Sequence, residues 1–409
     1  MSVRLAILVI TYLLIAVQRV PFLRLNRPAA ALLGAVAMVT LGGLPLRDAY
    51  AAIDLDVMVF LLGVLIITGF LEAGGFFEWS AQHVVRHARS PKTLLATVVL
   101  LSGILSAFFV NDTICLMLTP LLLAVLKPLK LKPLPFLLAI ALASNVGSAM
   151  TPIGNPQNML IAVASGISFG RFILSLAAAS LGGLAIVFGV LLLLHRSDLS
   201  APLPDLERVE VRFDRPLVIR SLLAFAGALV GWLMGLSLPL VAITAAAVLF
   251  AASQRDPAEA FEKVEWPLLL FFGALFVVMR GARDLPLVAS LTSAAGASLH
   301  GARAHDALVT SAAMLVLSNL VSNVPAVILW LPVVPKVVGP TFIWLVMAMS
   351  STFAGNLTLL GSMANLIVAE RAETRGVRLA FVDYLKAGVP VTILTLAWGI
   401  ASLLLLAPR

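Results

Sequence analysis

The stretch NVGSAMTPIGNPQN, residues 145–158, interrupts an otherwise apolar run. Gly147, Pro152, Gly154 and Pro156 break it, and Ser148, Thr151, Asn155, Gln157 and Asn158 are interleaved among them. In water this would be an ordinary loop. Both flanks, however, are apolar enough to lie in a bilayer, where irregular backbone survives only if protein, an ion or a watery cavity satisfies it. The break is therefore expected to be a binding site rather than a connection.

The composition supports that setting. Of 409 residues, 61% are hydrophobic and 12% charged, against roughly 45–50% and 25% in a soluble domain. The 28 Lys+Arg and 20 Asp+Glu are too few to cover a soluble surface. The net charge of +8 is dispersed through short connections, as the inside-positive bias of membrane proteins requires, so nucleic-acid binding is not implied. The first apolar run begins beside Met1 without a small-residue cleavage site and reads as a retained membrane segment. The single cysteine, Cys115, excludes an intramolecular disulfide and a cysteine-rich metal site. No paired carboxylates, metal-spaced histidines or nucleophile–base arrangement suggests an enzyme, and no cofactor is implied.

Taken in order, the chain divides into N-terminal transmembrane helices (1–53), a first repeat (54–194), a polar linker (195–216), two further crossings (217–264) and a second repeat (265–409). About ten crossings are expected. The fold class is all-α, a polytopic membrane protein with two homologous and inverted repeats. Within the first repeat, residues 93–126 are apolar except for Asn111-Asp112-Thr113. Basic residues flank both ends (Arg89 and Lys92; Lys127, Lys130 and Lys132), which favours a re-entrant hairpin with the polar trio at its tip. A broken helix over 134–167 follows. In the second repeat, the hairpin lies at 306–337 and the broken helix at 341–370. Arg19, Arg24 and Arg27 read as a cytoplasmic link between the first two helices, and Arg196, Arg208, Arg212 and Arg215 mark the linker as cytoplasmic.

The repeat itself is visible in polar residues. SAFFVN (106–111) matches SNLVSN (318–323), and Thr151, Gly154 and Asn158 recur at equal spacing as Thr358, Gly361 and Asn365. Chance likeness between apolar runs does not produce such spacing. Paired repeats with interrupted segments at corresponding positions are the signature of secondary transporters, whose sites form where the broken helices meet.

Four polar elements are thus expected to converge: Asn111-Asp112-Thr113, Ser148 to Asn158, Ser322-Asn323, and Gly355 to Asn365. The candidate ligands are Asn111, Asp112, Thr113, Ser148, Thr151, Gly154, Asn155, Asn158, Ser322, Asn323, Thr358, Gly361, Ser362 and Asn365. Amides both donate and accept, glycines let carbonyls approach a cation, and helix N-termini favour an anion. Asp112 is the only carboxylate in the middle of a long apolar segment, and such a group is costly unless functional. It can bind a cation or a proton, or merely cap the second hairpin arm. Na+ is expected at Asn111, Asp112 and Asn323. With one carboxylate and no arginine close by, a dianion is disfavoured. Glu370, just beyond the second break, is placed outside the site.

At TPIGNPQN and GNLTLLGSMANLIVAE (355–370) the chain resembles the ion transporter superfamily. That group includes arsenical permeases, sodium/proton antiporters, and divalent anion/sodium symporters with citrate-transporter-like relatives. In the carboxylate symporters each hairpin tip carries Ser-Asn-Thr. This chain has Val110-Asn111-Asp112 and Ser322-Asn323-Val324 instead, closer to the permease and antiporter side. The resemblance implies a multi-pass inner-membrane transporter in contact with lipid. Its cargo would be a small inorganic or weakly charged oxyanion of the arsenite type, coupled to H+ or Na+ by alternating access. Sodium/proton antiport and sodium-coupled carboxylate or sulfate symport are the alternatives. Oligomeric state is left open between a monomer and a homodimer.

Overall fold

Charged residues are sparse enough that helices run until a glycine, proline or polar cap stops them. The computed structural model describes residues 3–16, 25–200, 213–336 and 339–406, which form helices and no sheet. The basic link at Arg19 and Arg24, and the linker residues Arg208 and Arg212, lie outside the described residues. The first half contains α1 (Val3–Ala16), α2 (Arg27–Thr40), α3 (Leu46–Ala52), α4 (Leu55–Ala73) and α5 (Phe76–His87). It continues with α6 (Pro91–Phe108), α7 (Asn111–Leu126), α8 (Leu134–Ser148), α9 (Pro156–Ser165) and α10 (Phe169–Leu194). The second contains α11 (Arg215–Leu233), α12 (Leu238–Ser253), α13 (Pro257–Phe261), α14 (Trp266–Arg283) and α15 (Pro286–Ser298). It closes with α16 (Arg303–Val321), α17 (Asn323–Trp330), α18 (Pro340–Ala354), α19 (Met363–Glu373) and α20 (Phe381–Leu406).

Seven of these are long and apolar enough to cross a membrane: α4, α6, α10, α11, α14, α16 and α20. Six shorter apolar helices accompany them. The first arms of both expected hairpins, α6 and α16, are thus among the long helices. At the start of α6, Ser90 and Thr93 form a reciprocal capping box, and Pro91 fixes the first turn.

Helices α8 and α18 are buried along almost their whole length and form the centre. Around them, α6 packs on α8 and α16 on α18, while α10 packs against α20. The N-terminal hairpin α1–α2 packs on α14, whereas α11–α12 packs on α4. Polar contacts fix the helix ends. Arg4 Nε donates to Gly42 O (2.7 Å), and Arg280 pairs with Asp48 (3.3 Å) and Asp284 (2.8 Å), gathering α1, α2, α3 and α14 at one end. At the other end Lys263 pairs with Glu72 (3.2 Å), Asp214 N donates to Gly74 O (3.0 Å), and Arg255 pairs with Asp214. Lys132 bonds Asp198 at 2.7 Å, tying the loop after α7 to the end of α10. Together with His195, that bond holds the Asp198 carboxyl below the ordinary carboxylate range, against the opposing effect of burial.

The approach of α8 to α6 depends on glycine. A Cβ at Gly147 would run into the backbone of Gly103, which cannot swing aside as a side chain can. Gly147→Ala is expected to lower stability by about 1–3 kcal/mol, the usual cost of overpacking. Thermal unfolding of the purified protein, with Gly189→Ala as the control, checks this, because nothing lies within 4 Å of a Cβ at Gly189.

Candidate functional site

Both predicted breaks are present. Between α8 and α9 the chain leaves the helix from Ala149 to Asn155, and between α18 and α19 from Gly355 to Ser362. Each is held by an asparagine just inside the resumed helix. Asn158 Nδ2 donates to the carbonyls of Ser148 (3.2 Å), Ala149 (3.3 Å) and Thr151 (3.1 Å). Asn365 Nδ2 donates to Gly355 O (2.7 Å) and Thr358 O (3.2 Å). Carbonyls freed by the breaks are thus satisfied by side chains inside the protein, as an apolar setting requires. The break threonines tie back to the neighbouring arms: Thr151 Oγ1 donates to Ala107 O, and Thr358 Oγ1 donates to Asn319 Oδ1 (2.9 Å). Asn155 caps α9 through Asn158 N (2.9 Å), and its Nδ2 bonds Ser148 Oγ (3.0 Å).

The arms α6/α7 and α16/α17 break at Phe109–Val110 and at Ser322, so Asn111 and Asn323 each open a helix. Asn111 N donates to Gly154 O (2.9 Å), locking the first arm break onto the first broken helix. With its amide nitrogen turned toward carbonyls, Asn323 donates to Ser351 O and Gly361 O, each at 3.1 Å. Ser322 holds φ at +72°, a conformation L side chains rarely adopt. Strain of this kind concentrates at functional sites.

A small cavity of about 20 Å³ lies where these elements meet. Its wall is made from the starts of four helices: Asn111 and Asp112 of α7, Pro156 and Gln157 of α9, Asn323 to Pro325 of α17, and Met363 of α19. Ser322 and Ser362 precede the last two, and Phe271, Phe272 and Leu275 of α14 supply an apolar side. Only α9 of the four has a side-chain cap; α7, α17 and α19 have none. Apart from Asn111 N, which is bonded to Gly154 O, the N–H groups of these uncapped starts and the aligned peptide dipoles favour negative charge in the cavity. Asp112 is the one carboxylate among the lining residues. Beside it, the buried Asn111 Oδ1 has no donor among the described residues. That pair of oxygens offers a cation its ligands while the helix starts offer an anion its own.

Of the sequence candidates, Asn111, Asp112, Ser322, Asn323 and Ser362 line the cavity. Ser148, Thr151, Gly154, Asn155, Asn158, Thr358, Gly361 and Asn365 lie behind it and hold the breaks in shape. Thr113 is buried, and its hydroxyl has no partner among the described residues. Glu370 is exposed and is not among the residues that line the cavity. Cys115 is buried and bonded to Ser144 Oγ at 3.0 Å.

Two features were missed. Asn145 is the hub of a buried amide cluster: its Oδ1 accepts from Asn111 Nδ2 and Ser362 Oγ (both 3.0 Å), and its Nδ2 donates to Asn356 Oδ1 (2.8 Å) and Asn365 Oδ1 (3.0 Å). The only hint in the sequence was an asparagine inside the otherwise apolar α8. The second correction concerns Arg27. It is not an exposed link residue but the first residue of α2, 9% exposed, with Nη1 against Met363 Sδ. An arginine does therefore adjoin the site.

A second space of about 440 Å³ lies between α3, α14 and α17, lined by Asp48, Arg280, Arg283, Phe276 and Ile328 among others. It and the central cavity share α14 and α17 as walls, α14 lining the cavity at 271–275 and this space at 276–283.

The chain matches the family model described as citrate transporter over residues 12–347. It is 31% identical to the silicon efflux transporter LSI3 of Oryza sativa subsp. japonica, covering 95% of this chain and 94% of that one. It is 25% identical to the putative transporter arsB of Dictyostelium discoideum, covering 94% and 88%. Among solved structures it resembles the YdaH transporter of Alcanivorax borkumensis, with a TM-score of 0.56 and 17% identity over 98% and 96% of the two chains. That likeness is one of fold.

Proposed function

The chain belongs to the citrate transporter family, and from that premise and the cavity's geometry we propose that it couples a small, weakly charged oxyanion to H+ or Na+ by alternating access. It is a multi-pass, lipid-embedded secondary transporter, not an enzyme. The observation that carries the cargo class is the meeting of four helix starts around a single carboxylate. Such a site stabilises an anion through backbone N–H groups and a cation through Asp112 and Asn111 Oδ1. A relative named for silicon efflux supports a weak oxyacid rather than a dicarboxylate.

Alternating access follows if the halves are inverted repeats with re-entrant arms. Supporting that reading, α4 ends where α14 begins, through Glu72 and Lys263. Conversely, α14 ends where α3 and α4 begin, through Arg280 and Asp48. The exchange of partners, α1–α2 on α14 and α11–α12 on α4, has the same symmetry. The space between α3, α14 and α17 would then serve as the access route, where the Arg280–Asp48 pair and Arg283 leave the lining with an excess of positive charge.

Proteoliposomes test the proposal with arsenite, silicic acid, sulfate and citrate under imposed proton or sodium gradients. The expected result is gradient-accelerated flux of arsenite or silicic acid, with counterflow. Sodium/proton exchange without any of the four cargoes would replace it with antiport. Flux indifferent to an opposing substrate gradient would make the protein a channel.

A further inference from the structure

Arg27 carries a charge that the cavity's neutral amides do not answer. The 14 residues of α2 rise about 21 Å. Its far end is anchored by Arg4, which donates to Gly42 O and Gly43 O. A hydrocarbon layer is about 30 Å thick, so with that far end at one surface α2 would not carry Arg27 to the other. An arginine reaching for headgroups would be exposed in the chain stripped of lipid, whereas Arg27 is covered by protein. Its Nη1 meets only a thioether, a weak acceptor, and its buried Nη2 has no acceptor among the described residues. Met363, against which it rests, is the first residue of α19 and part of the cavity wall. The carboxylates that act on it electrostatically are Glu370 and Asp112. Glu370 is exposed, and Asp112 lines the cavity whose wall Met363 shares.

We propose that Arg27 is an anion-binding residue of the transport site, taking a singly charged oxyanion when the coupling ion neutralises Asp112. This rests on the transport reading above and adds that the cargo is held as an anion. The charges give the coupling. With Asp112 ionised, its charge and that of Arg27 cancel, and an anion gains little from entering. With a cation or proton on Asp112, the guanidinium is uncompensated and the cavity becomes an anion site. Arginine suits the task because it stays charged when buried and presents a planar fork to two oxygens of an oxyanion. The alternative is a latch that holds α2 on α19 whatever the cargo.

Binding to the purified full chain in lipid nanodiscs separates the two. The probes are hydrogen selenite, which is singly charged at neutral pH, and arsenous acid, an uncharged molecule of similar shape. Arg27→Gln is expected to weaken hydrogen selenite about tenfold or more while arsenous acid changes less than about twofold, the contrast due to a lost charge-assisted bond. Arg27→Lys, which keeps the charge but not the fork, is expected to fall between and serves if the glutamine variant does not fold. Equal loss of both probes, or wild-type affinity for hydrogen selenite, overturns the assignment. Wild-type protein that binds arsenous acid but not hydrogen selenite also overturns it and leaves the transport reading standing. Wild-type protein that binds neither and only exchanges sodium for protons defeats both.

Discussion

Asp112→Asn is expected to reduce gradient-driven transport in proteoliposomes about a hundredfold or more, the scale of losing a buried charged partner worth about 3 kcal/mol. Its fold is expected to survive. The side chain is 5% exposed, the substitution keeps its shape, and no ion pair within the described residues depends on it. What is lost is the only full negative charge in a cavity otherwise walled by helix starts and amides. An amide oxygen at the same place offers a cation a dipole and cannot carry a proton at all. Uptake with and without an imposed gradient, together with size-exclusion profile and helical content, checks both halves of the expectation. Wild-type gradient dependence in folded Asp112→Asn protein would remove Asp112 from the coupling role.

The helix breaks were legible in the sequence because their cause is local. Glycine and proline clustered with polar residues end a helix, so TPIGNPQN and GNLTLLGSMAN announce the gaps before α9 and α19 without reference to the rest of the chain. The same holds for Asn111 and Asn323, polar residues that interrupt apolar runs and prove to be the first residues of α7 and α17. Arg27 was not legible because its meaning lies at Met363, 336 positions away. Hydropathy assigns a charge to the nearest polar neighbours, and Arg19 and Arg24 pulled Arg27 into a surface link. Roles within the polar set were also hidden. Sequence spacing groups Asn158 and Asn365 with Asn111 and Asn323, yet only the latter pair lines the cavity. Cavity wall and supporting frame use the same residue types, and only three-dimensional position tells them apart.

Asn145→Ala is expected to destabilise the protein by about 3–5 kcal/mol, with buried unpaired groups costing about 1–3 kcal/mol each before neighbours rearrange. Asn145 has two N–H donors and one oxygen with two lone pairs, and the structure uses all four. Asn111 and Ser362 donate to it, while Asn356 and Asn365 receive from it. Those partners lie on α7, in the second break and on α19, so one amide joins the central α8 to elements of both halves. No rotation of a neighbour restores four bonds at once, and water that entered to replace them would have to be accommodated in a fully buried position. Asn145→Asp keeps the shape but loses both donors, so it is expected to be no better tolerated. Ser144→Ala is the informative control, since that buried hydroxyl bonds Ala141 O and Cys115 Sγ within a single half. Thermal unfolding in detergent is expected to order the variants as Ser144→Ala near wild type and Asn145→Ala and Asn145→Asp well below it. A wild-type melting profile for Asn145→Ala would mean that the amide cluster contributes nothing to joining the halves, and the site would then have to be held by helix packing alone.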